Sequence, residues 1–294
     1  MEFYFVALYF FVYSFLGWCT EVAFAACKEH RFVNRGFLNG PFCPIYGFGV
    51  SAVIVFLTPY RSNLILLYIA SVILVTVLEG ITGWAMDKIF HNKWWDYSNM
   101  PLNIGGYVCL LFSLIWGVAC VVILNLIHPV IHKGLAMLPR TLGIILIVVL
   151  SVLLIVDTCV TSSAIFKFNK RMEYMEKIAA ELHELSEQLG ENIYSTTAHA
   201  MDAVEDFHER HQDAAEELQV KAQEVVEELY ERRQDAQESL RAHIADLKKR
   251  YGELNQKSAR IPNRLLRAFP TLESRRHQER VLEMRRQLRE KLKK

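Results

Sequence analysis

Apolar positions run almost unbroken through five stretches of the first 166 residues: 3–26, 40–58, 63–86, 104–127 and 141–166. Crossing a bilayer takes about 20 apolar residues, so each stretch is long enough to span. Beyond residue 166 the pattern changes to charged positions crossed by a narrow apolar stripe. Phe207, Leu218, Leu229, Leu240 and Tyr251 recur every 11 residues, with Ala214, Val225, Ala236 and Leu247 seven places on. Eleven residues in three turns keep such a stripe nearly straight along a helix. The predicted fold is therefore all-α: a five-span transmembrane bundle over 1–166, followed by a long cytosolic helical tail. Gly190 and Ser195-Thr196-Thr197 are expected to interrupt that tail, and Pro262 and Pro270 to break it again.

Charge sharpens the division. Residues 1–166 hold 8 Lys/Arg and 7 Asp/Glu, against 25 and 25 in the remainder. A segment so poor in charge excludes a wholly soluble globular enzyme. The six cysteines lie in apolar runs, which excludes a disulfide-rich secreted module. The first stretch carries Glu21 and has no basic residues before its apolar run, unlike a cleaved signal peptide. Within the tail, residues 167–256 are acidic (net −9) and residues 257–294 basic (net +9). The basic end interleaves Arg with Leu265, Leu266, Phe269, Leu282, Met284 and Leu288, which reads first as contact with an anionic leaflet. Pairing with the acidic middle of the tail is the other reading. Nucleic acid is not an expected partner, because no nucleic-acid-binding fold accompanies the charge.

Lys and Arg in the short loops set the orientation. Lys28, Arg31, Arg35, Lys88, Lys93, Lys167, Lys170 and Arg171 fall on one side, and Arg61, Lys133 and Arg140 on the other. The expected arrangement is a multi-pass cell-membrane protein with its N-terminus outside and its tail in the cytosol.

Glu21, Glu79 and Asp157 lie inside predicted spans, where an ionised acid is costly unless it meets a partner, a cavity or another acid. Arg35 is the nearest candidate partner. Two loops rich in Gly, Pro, Asn and aromatics, 34–49 and 94–106, fall on the same side as these acids. Asn39 and Asn103 stand at the predicted openings of the second and fourth spans, where free helix N–H groups suit an anion. The candidate ligand site therefore comprises Glu21, Arg35, Asn39, Glu79, Asp96, Tyr97 and Asn103. A purely structural reading stays open: Glu21 and Glu79 could pair with Arg35 or Lys88, and Trp94, Trp95 and Tyr97 could be interfacial aromatics. Spans 1 and 3, each carrying a Glu and leading to an Asn-Gly-rich opening, faintly echo one another.

No phosphate-loop, His-Glu-x-x-His, Cys-x-x-Cys or Gly-x-Ser-x-Gly motif is present. No cofactor is expected. His128 and His132 have helical spacing but flank Pro129 and lack a third ligand, so no metal is expected either.

The runs Arg35-Gly36-Phe37-Leu38-Asn39-Gly40-Pro41, Pro44-Ile45-Tyr46-Gly47-Phe48-Gly49 and Trp95-Asp96-Tyr97-Ser98, with Pro101 and Asn103, resemble a bacterial family: the ABC-transporter type IV, CmpB-like permeases. The resemblance covers roughly residues 5–165 and none of the tail. It implies a permease subunit working with a separate cytosolic ATPase. The leading expectation is a permease-like subunit that binds a small or lipid-derived ligand at a polar site near the cytosolic boundary. A membrane-embedded enzyme acting on a lipid headgroup, with Glu79 or Asp96 as general acid/base, is one alternative. The other is a membrane-anchored scaffold recruiting partners, or a second copy, through its striped tail.

Overall fold

The computed structural model describes residues 2–30, 32–210, 234, 237–254, 260–269, 272–275 and 277–293. Helix α1, Phe3–Glu29, and helix α3, Leu64–Phe90, are each 27 residues long. Each ends on a histidine in the left-handed region, His30 (φ 51°) and His91 (φ 54°). The N–H of His30 returns to the Ala26 carbonyl and that of His91 to Asp87, satisfying an orphan carbonyl in each last turn.

The fold remains all-α in character, but the span count differs from expectation. Among the described residues four helices are long and apolar enough to cross a membrane: Phe3–Lys28, Leu64–Phe90, Leu110–Ala136 and the apolar part of Arg140–Glu191. The second predicted span, 40–58, forms only helix α2, Pro44–Leu57, continued by a 3₁₀ turn over Thr58–Tyr60. Fourteen residues rise about 21 Å, short of a hydrocarbon core about 30 Å thick. Composition could not reveal this. The first four residues of that predicted span, 40–43, run as irregular loop, with the Gly40 N–H given to Asp157, before α2 begins at Pro44, a residue favoured in a first helical turn.

That loop folds back along α1, and the Cys43 N–H donates to the Ser14 carbonyl (2.9 Å). From there α2 runs antiparallel to α1: Tyr46 packs on Gly17, Gly47 against Phe10 and Ser14, and Val50, Val53, Ile54 and Leu57 join Tyr9 and Tyr13 in one buried cluster. Leu67, Cys120 and Leu124 complete it.

Helix α4, Leu110–Val122, passes through a π-turn, Ile123–Ile127, into helix α5, His128–Ala136. Arg61 bridges the π-turn by donating to the side chain (3.0 Å) and carbonyl (3.2 Å) of Asn125. The two histidines of α5 are taken by α1 hydroxyls: Tyr9 lies 2.5 Å from His132 Nδ1 and Tyr13 3.2 Å from His128 Nδ1. Among the described residues no cluster of His, Cys, Asp and Glu is placed to hold a metal ion.

Helix α6, Arg140–Arg210, is continuous through Gly190 and residues 195–197, so the expected interruption is absent. One glycine costs about 1 kcal/mol, too little to break a helix of that length. Almost none of its apolar stretch is buried.

The chain divides into two compact units: residues 1–169 with 259–294, and residues 170–258. Within the second, His243 of helix α7 (237–254) lies 3.2 Å from Glu181 of α6. The 11-residue stripe falls mostly on residues 211–233, 235 and 236, outside the described residues.

The first unit gathers the basic C-terminal segment. Helix α8, Arg260–Ala268, carries Pro262 in its first turn, where its missing N–H costs nothing. Strand β4, Glu273–Ser274, pairs antiparallel with β1, Asn92–Lys93, and helix α9, Gln278–Lys293, follows. Between β1 and α4, β2 (Asn103–Ile104) pairs with β3 (Val108–Cys109). Leu265, Leu266, Ala268, Leu272 and Val281 are all buried, and Ala268 joins Ala25 and Val33 in a small cluster. Of the apolar residues expected to meet lipid, Leu265 and Leu266 are thus spent inside the protein, whereas Leu282 is exposed.

Candidate functional site

Two loops build the polar end of the bundle, and each is braced by one asparagine. Asn34 accepts from the Trp18 indole (2.8 Å) and the Gly36 N–H (3.0 Å), and donates to the Asn39 carbonyl (2.9 Å). Asn103 donates to the Ser98 and Met100 carbonyls and accepts from the Gly106 N–H. Gly105 and Gly106 have φ of 61° and 74°, a backbone region that favours glycine. A side chain on Gly106 would also collide with Asp96.

The first loop is anchored from outside by Asp157 of α6. Its carboxylate accepts the Gly40 N–H (2.7 Å), the Asn39 N–H (3.2 Å), the Asn39 side-chain amide (2.9 Å) and the Thr161 hydroxyl (3.2 Å). Here lies the partner of Asp157: loop backbone, not Arg35. A carboxylate can accept several N–H bonds at once, which gives the otherwise irregular loop a fixed point. Asn39 is consequently held between Asp157 and Thr161 and does not open a helix; α2 begins five residues later and α4 seven residues after Asn103.

Asp96 is likewise used locally. Its Oδ1 accepts from the Ser98 hydroxyl (2.6 Å), the Ser98 N–H (3.2 Å) and Lys93 Nζ (3.2 Å). Burial alone would raise its carboxyl, but the bonds from Ser98 and Lys93 outweigh that and hold it below the usual carboxylate range. Its stabilising contribution is therefore present above the unfolded value of about 3.9 and is lost as pH falls through the lowered folded value. In Asp96→Asn the acid-induced loosening of loop 93–107, followed by Trp95 fluorescence, is expected to lose its steepest part. An unchanged acid limb would show that Asp96 does not hold the loop.

Four of the predicted residues do converge, with one that was not singled out. Glu21 accepts from the Tyr46 hydroxyl (2.6 Å) and lies 3.4 Å from Arg35 Nε, whose guanidinium also sits 5.1 Å from the Phe24 ring centre. Glu79 accepts from the Tyr97 hydroxyl (3.3 Å). Its second oxygen, Oε2, is buried with no hydrogen-bond partner. Burial first, then Glu79, pushes the Tyr97 phenol well above its usual value. Rings close the arrangement: Phe112 stacks on Tyr97 (5.0 Å), and Trp116 meets Tyr46 edge-on (5.9 Å). Two acids, one arginine and two phenols therefore gather among otherwise apolar helices. Glu21 pairs with Arg35, and Glu79 meets Tyr97 instead of Lys88.

Tyr46 was legible as the third residue of α2 within a Gly-rich run, but nothing in the sequence aimed it at Glu21. Asp87, Tyr107, Arg264 and Arg275 were also missed: the two arginines find their partners more than 160 positions away, and nothing local marks Asp87 and Tyr107 as those partners.

Residues 8–162 match the family model described as "Putative ABC-transporter type IV". No curated protein and no solved structure matches the chain.

Proposed function

The chain belongs to the ABC-transporter type IV family, and we propose on that premise that it is the permease-type membrane subunit of a transporter driven by a separate cytosolic ATPase. The chain has no phosphate loop of its own, so nucleotide hydrolysis falls to a partner. The end of the bundle bearing Lys28, Arg35, Lys88 and Lys93 faces the cytosol by the charge bias of short loops, and the N-terminus faces outward.

The ligand, small or lipid-derived, is held by Glu21, Arg35, Glu79 and Tyr97 together with Tyr46. Asn39, Asp96 and Asn103 act one step back, by fixing the loops that carry Arg35 and Tyr97. One observation supports this reading above the others: the unpartnered Oε2 of Glu79, in a residue only 9% exposed. A buried oxygen without a donor is costly, and such exceptions gather where a ligand or proton completes the set.

Mass spectrometry of everything that copurifies in mild detergent tests it, comparing wild type with Glu79→Gln. The expected result is a stoichiometric ATPase with both chains, and a bound small molecule or lipid lost from the variant alone. Absence of any ATPase would remove the transporter assignment. An identical ligand complement in both chains would remove Glu79 from the site.

A further inference from the structure

The face built by the two loops carries two places shaped for arginine, and the chain's own C-terminal segment occupies both. Arg264 donates to three convergent carbonyls of the first loop: Asn34 (3.3 Å), Gly36 (2.7 Å) and Phe37 (2.8 Å). Three carbonyls turned to one point form a partial negative socket that fits the planar fork of a guanidinium. Arg275 meets Asp87, its Nε lying 2.8 and 2.7 Å from the two carboxylate oxygens. Tyr107 completes this second socket, donating to Asp87 (2.5 Å) and accepting from Arg275 (3.1 Å). Arg275 covers Asp87: with the arginine in place the acid is only 5% exposed, whereas the Arg275 side chain stays 56% exposed.

Between the sockets lies a short strand edge. Asn92 pairs with Ser274 and Lys93 with Glu273, and the Arg275 N–H donates to the His91 carbonyl (3.1 Å). Trp94, 4% exposed, receives the Phe269 ring at 5.1 Å. Backbone pairing at an edge, flanked by side-chain sockets, is the way extended peptides are read by sheet addition. Sockets and edge all lie within the family-matched stretch, 8–162, whereas Arg264 and Arg275 lie outside it. The surface is a property of the membrane domain; its occupant is an addition.

We propose that this face is a peptide-docking surface that reads two arginines eleven residues apart around a short strand, and that residues 260–285 are its tethered ligand. The proposal does not depend on the transport reading. A tethered occupant holds its site at a high effective concentration, so a free peptide can enter only when the tether's own arginines are removed.

The test uses the full-length chain in detergent and a labelled synthetic peptide of residues 260–285. The chain carrying both Arg264→Gln and Arg275→Gln is expected to bind this peptide saturably, and the wild-type chain at least about tenfold more weakly. A peptide bearing both glutamines is expected to bind neither. Should the double variant fail to fold, Arg275→Gln alone, which empties only the second socket, is expected to bind the peptide more tightly than the wild-type chain does. Equal binding of the peptide to wild-type and variant chains, no binding to a folded variant, or equal binding by the glutamine peptide would each overturn the proposal.

Discussion

Replacing Gly47 by alanine is expected to destabilise the protein by about 1–3 kcal/mol or more, while the same change at Gly49 is neutral or slightly stabilising. The two glycines lie two residues apart on one helix, so intrinsic propensity treats them alike. Their surroundings do not. A Cβ on Gly47 would strike the Ser14 hydroxyl and come 2.5 Å from the Phe10 carbonyl oxygen, whereas one on Gly49 meets nothing within 4 Å. Backbone cannot rotate away as a side chain can, so α1 and α2 would have to separate and the cluster around Tyr9, Val53 and Ile54 would open with them. Thermal unfolding of both variants in detergent measures the difference. Equal shifts would mean that α1 and α2 do not approach at Gly47.

Asp157→Asn is expected to be the most damaging conservative exchange on α6. The wild-type carboxylate faces only donors: two backbone N–H groups, the Asn39 amide and the Thr161 hydroxyl. An asparagine keeps one acceptor oxygen and turns an NH₂ toward a donor, leaving the Asn39 or Gly40 amide unpaired at a cost of about 1–3 kcal/mol. The loss concentrates in loop 34–43. Hydrogen exchange at the Asn39 and Gly40 amides is expected to quicken by at least about tenfold, with the α3–α4 region unaffected. Unchanged exchange at those two amides would show that α6 does not anchor the loop.

These two sites show where the reach of sequence reasoning stops. An intramembrane Asp demands a partner, and that demand was legible in Asp157 by composition alone. Its satisfaction by the backbone of residues 39 and 40, 117 positions or more away, was not. The second predicted span failed for a related reason. Hydropathy counts side chains and is blind to whether a backbone group is paired within a helix or, as at Gly40, by a distant aspartate. Glu21, Arg35, Glu79 and Tyr97 could be grouped in advance because helical order and loop charge placed them on one side of the bundle. Asn39, Asp96 and Asn103 share that side, yet each is consumed by its own loop. Residue type alone does not separate a ligand group from a brace, since both tasks call for the same donors and acceptors.

Membrane character, helical class, the charge-split tail and, through the Gly-, Pro- and Trp-bearing runs, the family were all legible along the chain. These follow from local composition and spacing, which act over one or two helical turns. Packing settled the rest: four helices long enough to span among the described residues, Tyr46 beside Glu21, Arg264 on the loop at 34–37, and Arg275 on Asp87 and Tyr107. Such contacts depend on how separate helices pack and how buried donors find acceptors across the chain, and no local period carries that information.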